Sequence, residues 1–202
     1  LFTLTSRYDD VLADIVKRPG YKAGDTLKLI LPFLKAHNVT NKAIIDFSSQ
    51  NVLLVPGVKE ALHFIQSLMP SFIVSTSYEQ YMRALCDLIG FPFENVYCTR
   101  LNLDQYKIDD EEKNKLKEFA EKMVELPIPE IPKNAKTLKD LPMDQQETVK
   151  RLDEIFWKET GRMNVGSFLR EVNPVGGNEK AEAIKNIVSK LSSSLQNVMY
   201  VG

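Results

Sequence analysis

Ser71-Phe72-Ile73-Val74-Ser75-Thr76-Ser77, then the helical spacing of Tyr78 to Ile89, then Gly90, then Val96-Tyr97-Cys98-Thr99, is the stretch that decides the fold. A short β-type run, an amphipathic helix closed by glycine and a second β-type run spell a βαβ unit. Such a unit implies two parallel strands joined by a right-handed crossover. Upstream, the apolar run Asn51 to Val55 leads into Pro56-Gly57, a helix-start signal, and Val58, Leu62, Ile65 and Leu68 follow at helical spacing. Downstream, Gly176-Gly177-Asn178-Glu179-Lys180, a helix from about Lys180 to Ser192 and a strand over Asn197 to Val201 read as the second half of another crossover.

Further out the texture is helical. Between Tyr8 and Gln50, apolar residues at Val11, Leu12, Ile15 and Val16, at Leu27, Ile30, Leu31 and Leu34, and at Ile44, Ile45 and Phe47 predict three short helices. Pro19-Gly20 stops the first, Asp25 caps the second and Thr40 caps the third. Asp9 and Asp10 read as first-turn acids of a helix, with no catalytic role. Lys107 to Lys122 is dense in charge with a thin stripe of Leu116, Phe119 and Met123, and is most simply a solvated helix. Residues 125 to 142 hold Pro127, Pro129, Pro132 and Pro142 and read as an extended connector, followed by a helix from about Asp144 to Thr160 that ends at Gly161. The expected organisation is α/β, with a helical unit at 1–50, a first α/β part at 51–105, a helical and Pro-rich insertion at 106–170 and a second α/β part at 171–202.

Composition bounds what such a chain does. Its 202 residues are 44% hydrophobic and 26% charged, enough to bury a core without disulfide or metal staples. With 26 basic against 27 acidic side chains, the formal net charge of −1 gives no basic field for phosphate backbones or anionic lipid, so nucleic acid is not an expected partner. No apolar run approaches the roughly 20 residues of a bilayer span, and no membrane insertion is expected. Cys86 and Cys98 lack CxxC spacing and stand apart from His37 and His63, so no metal site is read from them. Both cysteines read as small buried hydrophobes in a reducing compartment, which makes the cytoplasm the expected location.

Two places have the residue types for chemistry. Ser75 and Thr76 sit at the carboxyl end of a strand, where hydroxyls and the N–H groups of residues 76 to 78 can converge on an anion; a plain N-cap accounts for the same residues. Lys180 opens a helix, where a cation opposes the macrodipole unless an anion offsets it; a solvated lysine is the alternative. Gly176-Gly177 lacks Walker spacing. Tyr78, Tyr81, Phe91 and Phe93 read as core, and His63 as a structural histidine.

Val55-Pro56-Gly57-Val58-Lys59-Glu60-Ala61-Leu62, Phe72-Ile73-Val74 with Ser75 at its tip, Asn95-Val96-Tyr97-Cys98, Gly177 to Lys180 and Val198-Met199-Tyr200-Val201-Gly202 together resemble the haloacid dehalogenase-like (HAD) hydrolases, particularly the phosphoserine phosphatase-like branch. The resemblance covers about half the chain. Over the whole length, including Thr5 to Asp10 and Lys17 to Asp25, the chain looks like the archaeal group labelled energy-converting hydrogenase A subunit R. The resemblance implies a Rossmannoid parallel sheet, present in part, with a helical cap at 1–50. It implies phosphoryl transfer from a small phosphorylated substrate through an aspartyl-phosphate, with magnesium as cofactor. Ser75, with Thr76 beside it, maps onto the hydroxyl that holds phosphoryl oxygens, and Lys180 onto the catalytic lysine that offsets their charge. The Asp-x-Asp nucleophile motif and the acidic magnesium motif have no match in these residues. Leu1-Phe2-Thr3 without a methionine and the apolar run ending at Gly202 read as an excerpt, so the chain by itself is expected to be inactive. The alternative is a non-catalytic subunit or regulatory partner of a hydrogenase complex.

Overall fold

The computed structural model describes residues 1–201. It is mostly helical around one small parallel sheet. α1 (Phe2–Asp10) runs on through a π turn (Val11–Val16); α2 (Thr26–Ala36), α3 (Asn41–Asn51) and α4 (Val58–Leu68) follow. Next come β1 (Ile73–Tyr78), α5 (Glu79–Ile89) and β2 (Val96–Thr99), then α6 (Asp110–Val124) and α7 (Met143–Asp153), which continues into a second π turn (Glu154–Glu159). The short α8 (Phe168–Glu171) and the longer α9 (Gly177–Lys190) complete the order.

Local signals act as expected at several boundaries. Thr40 Oγ1 accepts from the Ala43 N–H at 3.1 Å and caps α3. Gly90 closes α5 in the left-handed region at φ 70°, which glycine enters without a Cβ penalty. β1 and β2 pair in parallel, Ile73 opposite Val96 and Val74 opposite Tyr97.

Three expectations are corrected. The helix around Asp9 starts at Phe2, so Asp9 lies in its last turn; Leu4, Tyr8, Val11, Leu12 and Ile15 recur on one buried face and carry the helix further upstream. β1 does not stop at Val74 but reaches Tyr78, which pairs with Thr99 across a register irregularity. Asn197 to Val201 is not a strand: a 3₁₀ turn (Leu195–Asn197) is followed by exposed, unpaired backbone. A β-run without a neighbour has no ladder to join, and the sheet among the described residues has only β1 and β2.

Two apolar cores result. The larger gathers Leu4, Tyr8 and Leu12 with Leu29, Leu31 and Phe33 of α2, Leu116, Phe119 and Met123 of α6, and Leu152, Ile155, Phe156 and Phe168. The thin stripe of Leu116, Phe119 and Met123 is therefore committed to packing, while most of the acids and lysines around it remain outside. The smaller core holds Met82, Cys86, Ile89, Phe91, Val96 and Cys98 beneath the sheet. α3 lies along α5 and α2 along α6, and α9 packs against β1. Between residues 125 and 142 the only regular element is a 3₁₀ turn (Leu138–Asp140), in keeping with its prolines. Among the described residues no helix is long and apolar enough to cross a membrane.

Candidate functional site

The carboxyl ends of two parallel strands, and the loop that enters α9, meet at one place. Thr99, at the end of β2, donates its hydroxyl to the Thr76 carbonyl at 2.7 Å and accepts the Val175 N–H at 3.0 Å. The side chain thus joins β1 where the ladder is irregular, and holds the loop from which α9 begins. From the other side, Lys22 reaches over from the loop before α2. Its ammonium donates to Asn173 Oδ1 at 2.6 Å and the Pro174 carbonyl at 2.7 Å, and pairs with Glu179. Those three bonds use all three donors of the group, so Lys22 is a clamp and not a free cation.

Glu179 caps its own helix: Oε2 accepts the Gly176 N–H at 3.0 Å. Burial disfavours its charge, but the bonds from Lys22 and Gly176 outweigh burial and hold its carboxyl below the usual glutamate range. Gly176 lets the two loops lie close: a β-carbon there would sit 3.2 Å from the Ala23 carbonyl oxygen and from Glu179 Oε2, tighter than an ordinary contact. The loop around Gly24 comes near the same end of β1, since a β-carbon on Gly24 would lie 3.9 Å from the Thr76 methyl.

Ser75 and Thr76 are half-buried within β1, where the sequence placed them at its tip. Ser75 Oγ accepts the Ser77 N–H at 3.2 Å, so that N–H is already engaged and only part of the expected anion cradle is open. Lys180 is half-buried in the second turn of α9, its own N–H bonded to the Gly176 carbonyl at 2.9 Å. Its acidic neighbour Glu179 is spent on Lys22 and Gly176. The contact between α9 and β1 brings the elements carrying Lys180, Ser75 and Thr76 together. The first-turn N–H groups of an α-helix have no intrahelical partner and favour an anion there.

Among the described residues no three His, Cys, Asp or Glu side chains are grouped to hold a metal ion. The nearby Asp25 is paired with Lys28 at 2.6 Å. Asp9 is a structural acceptor: it takes the Tyr21 hydroxyl at 2.6 Å and the Gly24 and Thr26 N–H groups at 3.0 Å each, fixing the loop that carries Lys22. His63 stands exposed on α4. Thr99 and Lys22 escaped the sequence reading. Thr99 has a visible signal, a hydroxyl ending the second strand just as Ser75 and Thr76 are expected to end the first. Lys22 has none, because its partners lie more than 150 residues away.

No protein-family model matches the chain, and no curated protein sequence matches it. Among solved structures it is similar to gene product AF1437 from Archaeoglobus fulgidus, at a TM-score of 0.75 and 26% sequence identity. The match covers 95% of this chain and 54% of that one, so the chain spans about half the length of its structural neighbour. The likeness supports the fold over nearly the whole chain and brings no activity with it.

Proposed function

We propose that the Ser75–Thr76 stretch of β1 and the opening of α9 bind the phosphoryl group of a small phosphorylated substrate, and that the chain is part of a HAD-like phosphohydrolase. The observation that supports this reading is the packing of α9 against β1, which puts the helix of Lys180 beside the strand of Ser75 and Thr76. In the proposed chemistry Ser75 and Thr76 donate hydroxyls to phosphoryl oxygens, and Lys180 offsets the charge that builds on them as the ester bond breaks. Residues 1–50, which reach the site through Lys22, act as a helical cap that restricts access. The aspartate nucleophile and the acids for magnesium are not among these residues, so the reading assigns this chain the anion-holding half of the reaction.

Tungstate binding to the chain, followed by calorimetry, tests this. Lys180→Ala is expected to weaken binding about 10- to 100-fold, as for loss of a charged hydrogen-bond donor, and Ser75→Ala about 3- to 10-fold. Unchanged affinity in both variants refutes the assignment. A second reading, a non-catalytic subunit that binds a protein in a hydrogenase complex, is favoured by the exposed apolar side chains of Phe64 and Leu68 on α4 and of Met199 and Val201. A chain that takes up no oxyanion leaves that reading in front.

A further inference from the structure

The Thr99 side chain is fully buried, and its one hydroxyl has two backbone partners that belong to different parts of the site. The Thr76 carbonyl follows Ser75 on β1. The Val175 N–H opens the loop whose next residue, Gly176, is the N-cap of α9. Neither partner belongs to a regular ladder at that point: the β1–β2 register breaks between Val74 and Tyr78, and Val175 lies outside helix and strand. A side-chain oxygen therefore does what backbone pairing does elsewhere in a sheet.

Packing alone does not ask for threonine here. Valine has nearly the same shape and a higher liking for strands, but it would remove the bonds that the hydroxyl makes to the Thr76 carbonyl and the Val175 N–H. The loop would nevertheless stay close, because Lys22 still clamps Asn173, Pro174 and Glu179 from the far side. The effect of losing the hydroxyl is thus a shift of α9 relative to β1 more than a loss of the fold.

We infer that Thr99 is a positioning residue of the oxyanion site, setting the opening of α9 against the Ser75–Thr76 stretch of β1 by bonding to both. This rests on the proposed phosphoryl-binding reading. Thr99 touches no substrate in this scheme and acts through the loop and Lys180.

The experiment compares the full chain with Thr99→Val, Thr99→Ser and Lys180→Ala, using tungstate as the probe at a temperature below every thermal transition. Thr99→Val is expected to stay folded by circular dichroism and to bind tungstate about 5- to 20-fold more weakly, because a displaced opening of α9 presents Lys180 out of register with β1. Thr99→Ser, which keeps the hydroxyl, is expected to restore binding to within about twofold. A merely structural threonine would lower the melting temperature in both variants and leave the affinity unmoved. Thr99→Val binding as the wild type does, while Lys180→Ala is impaired, overturns the inference and spares the site. A wild type that takes no tungstate, or is indifferent to Lys180→Ala, overturns the site and this inference with it. Should Thr99→Val not fold, amide hydrogen exchange of the wild type decides: tungstate is expected to slow exchange at Val175, and an unchanged rate there overturns the inference.

Discussion

Phenols carry much of the buried polarity. Tyr8 donates to Asp153 at 2.5 Å and accepts from the Trp157 indole N–H at 2.8 Å; Tyr21 donates to Asp9 at 2.6 Å; Tyr78 donates to the Leu27 carbonyl at 2.5 Å. Burial, and for Tyr8 and Tyr21 the adjoining carboxylate, raises all three phenol pKa values well above the ordinary 10.0. In the unfolded chain these phenols lose their protons near pH 10, whereas the folded chain retains them. The folded state binds more protons in that window, so stability is complete below about pH 10 and falls as the pH rises beyond it. Phenolate absorbance followed through an alkaline titration is expected to show Tyr8, Tyr21 and Tyr78 ionising only together with loss of helical circular dichroism. Ionisation of all seven tyrosines in a still-folded chain contradicts this. Little of the arrangement was legible beforehand. Tyr8-Asp9-Asp10 looks like the solvated start of a helix, and the donors that make Asp9 structural come from Tyr21, Gly24 and Thr26, in a loop whose fold no local pattern specifies.

Elements whose ends are set by local chemistry were readable, and those set by a neighbour were not. Thr40, Gly57 and Gly90 marked helix boundaries because a cap or a left-handed turn needs only nearby residues. The length of β1 depends on Thr99, and the absence of a strand at 198–201 depends on the lack of a pairing neighbour; neither is written in its own segment. The Thr40 cap, the Gly90 stop and the parallel pair follow from local residues, but the extension of β1 past Ser75 and Thr76 and the bonds from Thr99 and Lys22 do not. The tight 3₁₀ turns after α7 are another case of dependence on a neighbour. A β-carbon on Gly166 would lie 2.4 Å from the Thr160 carbonyl oxygen and 2.8 Å from the Gly161 backbone, although its φ is unexceptional. Gly166→Ala is therefore expected to force the turns apart and cost about 1–3 kcal/mol. Gly177→Ala, at the open first position of α9 with nothing within 4 Å, is expected to be neutral or slightly stabilising. Urea midpoints of the two variants check this pair, and equal effects would show that space at Gly166 is not the constraint.

The molecule as a whole has two cores of unequal size, and each contains its own reporter. Trp157, the only tryptophan, packs against the larger core, edge-on to Tyr21 and beneath the Arg18 guanidinium at 4.2 Å. Both cysteines, Cys86 and Cys98, are buried in the smaller one, where burial pushes their thiols up and keeps them unreactive. The smaller core buries fewer large side chains, and its sheet has a single pair of strands, with β1 only half-covered along its length. Fewer apolar contacts and more exposed backbone bonds are the features of a region that opens at lower free energy. The clamp from Lys22, the α3–α5 contact and Tyr78, which packs from β1 against the larger core, tie the two regions together. In rising urea, the thiols are accordingly expected to react with a disulfide reagent before Trp157 fluorescence changes. Coincident midpoints by the two probes would mean instead that the clamp and the helix contact suffice to make the chain a single cooperative unit.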